Sequence, residues 1–167
     1  MILSKVRRLG LSKNILLVCS SKELRKELSK ILARDTKMLH IDADELLDFE
    51  ILNRQEISIK EAGEVLKHLE QDYINRVVNF KNCVITMSDQ LFLSNDNFNL
   101  LKNIKKVYIQ TYPQQEKKHS NKYKFEQDLL MYDDINNLLI SLCDITIKAE
   151  NNLSKLSQEI IYKLGLQ

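Results

Sequence analysis

Short apolar runs alternate along the chain with longer segments whose apolar residues recur at helical spacing. Each run has the length of one strand, and the intervening segments are long enough for helices that return the chain to the same edge of a sheet. This alternation predicts an α/β fold, a three-layer sandwich in which helices flank a five-stranded parallel sheet. The predicted strands span residues 14–18, 38–41, 83–87, 106–110 and 144–148.

Several predicted helices carry boundary signals. Ser20 with Glu23 forms a capping box directly after the first strand, and Ser58 with Glu61 forms another before a long helix that ends near residue 79. The last helix ends at Gly165, a residue type that commonly caps helix C-termini. Residues predicted to face inward are Leu24, Leu28, Ile31 and Leu32 in the first helix, and Ile59, Ala62, Leu66, Leu69, Tyr73 and Val77 in the long helix.

Length and composition narrow the class of protein. The 167 residues suit one domain, 1–167, with a basic extension at 1–13 and a polar, lid-like segment at about 114–124. The three cysteines adjoin apolar runs, which favours reduced thiols and a cytoplasmic location. We expect no membrane association, because no apolar run approaches the length of a span or a signal peptide. A net charge of +2 makes nucleic acid an improbable partner, and the scattered histidines do not indicate a zinc site.

The junction between the first strand and the first helix is the most informative part of the chain. A loop G-x-x-x-x-G-K-[ST] at such a junction binds nucleotide: glycines let backbone N–H groups surround the phosphates, lysine reaches the terminal phosphates, and a hydroxyl holds magnesium. Here these four places are taken by Cys19, Leu24, Arg25 and Lys26, and residues 19–26 include no glycine. The usual phosphate cradle cannot be built from them. An ordinary helix start remains, with weak anion binding at its N-terminus as the functional alternative.

Two short motifs support a family resemblance. Residues 41–45, Ile-Asp-Ala-Asp-Glu, follow the second strand, and residues 143–147, Cys-Asp-Ile-Thr-Ile, open the last strand. In this order and spacing they match the D-[ST]-D and A-D-x-x-[IV] segments of shikimate kinase, which the chain resembles from about residue 13 onward. The resemblance implies a P-loop kinase-like fold of the nucleoside-monophosphate-kinase branch. A fold by itself does not specify an activity.

The resemblance also implies roles for individual residues. Asp42 takes the place near magnesium, and Asp44 the place that contacts the substrate hydroxyl and assists its deprotonation. Arg25 would replace the catalytic lysine, and Lys67 stands where the family has an arginine that binds the substrate carboxylate. The implied nucleotide contacts are Ser20, Ser21, Arg25 and Lys26. An alternative interpretation of Asp42 and Asp44 is that they cap the helix that begins near Glu45.

Other positions depart from the family pattern. Residues 88–90, Ser-Asp-Gln, replace a triple-glycine loop, and Asp89 would repel an anionic substrate. Ile135 and Leu139 stand at the arginine and tyrosine of the family's R-x-x-x-Y segment. Because phosphoryl transfer depends mainly on positioning and charge neutralisation, these losses together predict little turnover.

The sequence therefore favours a shikimate-kinase-like protein with degenerate ATP- and shikimate-binding motifs, catalytically inactive and serving a binding or regulatory role. Its expected partner is a protein or a small metabolite, and no cofactor is expected. The alternative is an active enzyme that transfers the γ-phosphate of Mg-ATP to a small hydroxy acid through altered phosphate contacts. A third hypothesis is a subunit whose site is completed by another chain.

Overall fold

The computed structural model describes residues 14–53, 62–94, 97–112 and 122–166. In chain order the elements are β1 (Ile15–Val18), α1 (Lys22–Thr36), β2 (Leu39–Asp42), α2 (Ala43–Asn53), α3 (Ala62–Val78), β3 (Cys83–Met87), α4 (Asp89–Leu93), α5 (Asn97–Leu100), β4 (Lys105–Gln110), α6 (Lys122–Leu142), β5 (Ile145–Lys148) and α7 (Leu153–Leu164). The five predicted strands are confirmed. None of the helices described here is both long and apolar enough to cross a bilayer.

The strands form one sheet in the order β2-β3-β1-β4-β5, and every neighbouring pair is parallel. Central strand β1 pairs through Leu16 with Ile85 of β3 and with Lys106 of β4. Both β1 and β3 are buried over their whole length. Strands covered on both faces need apolar residues at every position, which explains why they appear as continuous apolar runs in the sequence.

Alternate residues of β1 face two separate cores, as the two-residue period of a strand requires. Leu16 and Val18 pack into the core covered by α2 to α6, and Ile15 and Leu17 pack into the core covered by α1 and α7. The helices supply further core side chains, among them Leu47, Ile74, Phe92 and Leu139 on the first face and Leu28, Leu32, Leu156 and Ile160 on the second. The predicted three-layer sandwich is confirmed.

The helix boundaries are partly as predicted. Gly165 caps α7 in the left-handed conformation, with φ 63°. The predicted cap at Ser20 is wrong by one residue, because Ser21 Oγ accepts the N–H of Leu24 at 3.3 Å and is the N-cap of α1. Helix α3 is described from Ala62, so the predicted capping box at Ser58 and Glu61 lies outside the described residues.

The predicted inward faces of α1 and α3 are present where they are described. Leu28 and Leu32 are fully buried, while Leu24 and Ile31 are half-buried. Leu69, Tyr73 and Val77 are buried on α3. Ile59 and the side chains of Ala62 and Leu66 lie outside the described part of the chain. The extension 1–13 and most of the lid-like segment also lie outside it, but residues 122–124 of that segment begin α6.

A buried asparagine joins the start of the central strand to the segment before β3. Asn14 is 7% exposed, its Nδ2 donates to the carbonyl oxygen of Phe80, and its Oδ1 accepts the N–H of Cys83 at 3.1 Å. Both polar ends of the amide are therefore satisfied inside the fold. Removing this side chain would leave the buried N–H of Cys83 and the part-buried carbonyl of Phe80 without their partner.

Replacing this amide should destabilise the fold. We expect Asn14→Ala to lower the free energy of unfolding by about 1–3 kcal/mol, the cost of unsatisfied buried polar groups. Urea unfolding followed by circular dichroism measures the change. Asn137→Ala on the exposed face of α6 is the matched control and should stay within about 0.5 kcal/mol of the unsubstituted protein. Equal effects of the two substitutions would contradict the structural role of Asn14.

Candidate functional site

The carboxyl ends of β1, β2 and β3 meet at one edge of the sheet, where ligands of open α/β folds generally bind. After β1 the chain passes through Cys19, which is fully buried and donates its N–H to the carbonyl oxygen of Met87 at 3.1 Å. Ser20 follows, with its Oγ 3.0 Å from Oγ1 of Thr111. Helix α1 then begins with its first turn closed by the Ser21 cap. The junction is thus a short, internally bonded connection.

Arg25 lies on the inner side of this first turn and is only 4% exposed. Its Nη1 donates to the carbonyl oxygens of Cys19 at 3.2 Å and Ser20 at 3.3 Å. Its Nη2 lies 3.5 Å from Oδ2 of Asp44. A buried guanidinium needs partners of this kind, and here the chain itself supplies them.

Asp44 connects this cation to the end of β3. The carboxylate is 22% exposed and accepts the N–H of Ser88 at 2.8 Å and the hydroxyl of the same residue. Ser88 Oγ also accepts the N–H of Leu91 at 3.1 Å and is the N-cap of α4. We refer to Arg25, Asp44 and Ser88, with the carbonyls of Cys19 and Ser20, as the arginine clamp.

Asp42, the last residue of β2, is 5% exposed and acts through one oxygen only. Its Oδ1 accepts the N–H of Glu45 at 3.1 Å, so it caps α2. The capping interpretation therefore holds for Asp42, whereas Asp44 turns to Ser88 instead. Five buried side-chain polar atoms have no hydrogen-bond partner within the described part of the chain, and they include Oδ2 of Asp42, Nε of Arg25 and the hydroxyl of Tyr73. Burial raises the pKa of Tyr73, and the carboxylates of Glu50 and Asp42 add to this rise.

The other predicted site residues lie around the clamp rather than in it. Lys26 pairs with Glu45 at 2.9 Å, and this hydrogen bond raises the pKa of Lys26 and lowers that of Glu45. Lys67 is exposed on α3, and no hydrogen bond or ion pair among the described residues joins it to Arg25 or Asp44. Asp89 accepts the N–H of Gln90 at 2.9 Å inside the first turn of α4. A helix thus begins where the resemblance implies a glycine loop.

Ser88 is the site residue that the sequence analysis missed. The signal was a serine directly after an apolar strand and before Leu91 and Phe92, the pattern of an N-cap. Cys19 lies in the site with its thiol buried, and burial raises its pKa to about 11, although the Ser21 backbone and the Arg25 charge oppose the rise. The thiol is therefore protonated at neutral pH.

A cavity of about 680 Å³ opens beside Ser20, Ser21 and the first turn of α1. Carboxylates of Glu23 and Glu150 and rings of Tyr112 and Tyr132 line it, and none of its described lining residues is lysine or arginine. Glu150 is paired with Lys155 at 2.8 Å. An anion entering the cavity would approach carboxylates without a lining cation.

Comparisons with solved structures agree with this architecture. The chain is similar to shikimate kinases from Bacteroides thetaiotaomicron (TM-score 0.70, 16% identity, 92% of this chain and 98% of that chain) and Aquifex aeolicus (0.67, 17%, 91% and 96%). The chain is also similar to a shikimate kinase from Acinetobacter baumannii in complex with shikimate, with a TM-score of 0.68 and 20% identity, over 91% of this chain and 92% of that chain. At these identities the likeness shows the fold.

The search of curated proteins gives no match. The family model described as shikimate kinase matches residues 26–160, which include the Asp42 and Asp44 segment, the β3 end and the last strand. Because this match covers most of the 167 residues, the chain belongs to the shikimate kinase family.

Proposed function

We propose that this protein is a shikimate kinase family member that does not transfer phosphate and instead binds a partner protein or a small metabolite. One observation carries the proposal: the guanidinium of Arg25 is buried and committed to the carbonyls of Cys19 and Ser20 and to Asp44. A cation that is neutralised inside the fold is not free to reach a phosphate.

The polarity of the junction supports the same conclusion. A phosphate cradle presents backbone N–H groups to the ligand. Here the carbonyl oxygens of Cys19 and Ser20 face the cation inside, and the Ser21 hydroxyl takes the N–H of Leu24. One first-turn N–H and two carbonyls of the junction are therefore bonded within the chain.

The donors for Mg-ATP are also poorly matched. Lys26 stands at the place of the magnesium-binding hydroxyl, carries a positive charge and is paired with Glu45. Among the described residues, one oxygen of Asp42 has no hydrogen-bond partner, and the other caps α2. Mg²⁺ prefers several oxygen ligands in an octahedral arrangement, so these residues do not fit the ion with its nucleotide.

Nucleotide binding tests the proposal directly. Isothermal titration of the full-length protein with Mg-ATP should give no binding heat up to about 1 mM, which corresponds to a binding free energy weaker than about −4 kcal/mol. An active shikimate kinase in the same buffer is the positive control. A dissociation constant in the micromolar range would overturn the proposal.

A second candidate, an active kinase with altered contacts, is favoured by one observation. Oδ2 of Asp42 is buried and has no hydrogen-bond partner in the described part of the chain. Asp44 follows two residues later, so both carboxylates of the family's motif persist. A coupled assay of ADP release with shikimate as acceptor separates the candidates. We expect the rate to stay at background and to be the same for Asp44→Asn. Turnover that is lost in Asp44→Asn would establish the second candidate.

The clamp should behave as a structural unit. We expect Arg25→Met to lower the free energy of unfolding by about 3 kcal/mol, because it leaves Asp44 and two carbonyls without their buried cation. The double variant with Asp44→Asn should lose less than the sum of the single effects by about 1 kcal/mol, since the two residues are in contact. Urea unfolding followed by circular dichroism measures all three.

Lys26→Met is the matched control, because it removes a neighbouring cation whose pair with Glu45 is exposed. It should change stability far less than Arg25→Met. Strictly additive effects of Arg25→Met and Asp44→Asn would contradict the clamp.

A further inference from the structure

The opposite edge of the sheet carries a second cavity, of about 500 Å³. It lies at the starts of β1 and β4, where Ile15 pairs with Lys105, far along the strands from the arginine clamp. Its walls are mostly apolar side chains, among them Val78, Leu100, Ile104, Leu164 and Leu166. Cavities of this size with an apolar lining and a few polar groups are the usual form of small-molecule sites.

Residues from both helix layers build the walls. Val78 ends α3 and Leu100 ends α5 on one face of the sheet, and Leu164 ends α7 on the other. Gly165 caps α7 with φ 63°, and Leu166 donates its N–H to the carbonyl oxygen of Ile161 at 3.1 Å. This cap turns the chain back, and Leu164 and Leu166 then line the same space. The wall is part of the fold and does not depend on an exposed loop.

The polar side chains that line the cavity differ in whether their hydrogen-bonding groups are already paired within the protein. Both ends of the Asn14 amide are bonded to the backbone, so Asn14 shapes the cavity without offering a hydrogen bond to a ligand. Lys105 is the only charged residue among the described residues that line the cavity. Its side chain is 69% exposed and its Nζ is 3.9 Å from Asp144. Asp144 is held more closely by Lys106, through the backbone N–H at 2.8 Å and Nζ at 3.5 Å, so the Lys105 ammonium is available to another anion.

We propose that this cavity binds a small carboxylic acid, with its apolar body against the leucine and isoleucine walls and its carboxylate on Lys105. The charge of Lys105, the one cation among the described lining residues, selects an acid over an amine, and the apolar walls select a hydrocarbon body over a sugar or nucleotide. Leu100 stands at the rim with 37% of its surface exposed, which leaves apolar area for a ligand to cover. The site lies at the opposite edge from the arginine clamp, so this inference is independent of the proposed function.

Octanoate is the probe, with octylamine as a ligand of the same body and opposite charge. Isothermal titration of the full-length protein should detect octanoate and give a markedly weaker or undetectable signal for octylamine. Amide chemical shifts in ¹H-¹⁵N spectra should change near Leu100, Lys105 and Leu166 and stay fixed near Ser21 and Arg25. Failure of octanoate to bind, equal binding of octylamine, or shifts confined to the clamp would overturn the proposal.

Two variants test separately the charge of Lys105 and the free volume of the cavity. Lys105→Gln should weaken octanoate roughly fivefold, the fold-change that corresponds to one exposed ion pair. Leu100→Trp places a larger side chain at the rim and should abolish binding. Matched controls are Lys148→Gln on β5 and Leu138→Trp on α6, both exposed and absent from the lining. Unchanged affinity in both test variants, with folding verified by circular dichroism, would show that octanoate binds elsewhere.

Discussion

The ion pair between Arg25 and Asp44 is the interaction on which the carboxyl edge of the sheet depends. A guanidinium that is 4% exposed must be neutralised and hydrogen-bonded within the protein. It draws the carbonyls of Cys19 and Ser20 toward itself, and Asp44 in turn holds Ser88 at the end of β3. One buried charge therefore connects the ends of three neighbouring strands, and the carbonyls of Cys19 and Ser20 and the carboxylate of Asp44 are directed toward it.

The helix N-termini at this edge are also bonded within the protein, each by a side-chain cap. Ser21 caps α1, Asp42 caps α2 and Ser88 caps α4, each by accepting a first-turn N–H through its side chain. An uncapped N-terminus combines free N–H groups with the positive end of the helix dipole and readily binds phosphate. Each side-chain cap satisfies one of these donors and so weakens the attraction for an anion. The edge thus keeps the topology of a P-loop kinase, with one first-turn N–H of each of these three helices bonded to a side chain.

The sequence predicted the fold well because burial on both faces imposes apolar runs, and such runs are visible without knowing their neighbours. It failed where the outcome depends on residues far apart in the chain. Ser20 and Ser21 are adjacent serines, and which of them caps α1 depends on the residue at which β1 ends and the helix begins. The burial of Arg25 depends on Asp44, and the orientation of Asp44 depends on Ser88, which lies 44 residues further on. No local period contains that information.

The two edges of this sheet also show why a family assignment does not fix the place of a ligand. Ligands collect at the carboxyl edge of open α/β sheets because free helix N-termini converge there. That reason weakens when the N-termini are capped and the cation is paired internally, as at Arg25. The opposite edge owes its cavity to helix ends that stop short of one another and to the turn at Gly165, features that arise from helix length and capping. Either edge of the same scaffold can therefore hold a binding site, and which one does is decided by side chains rather than by topology.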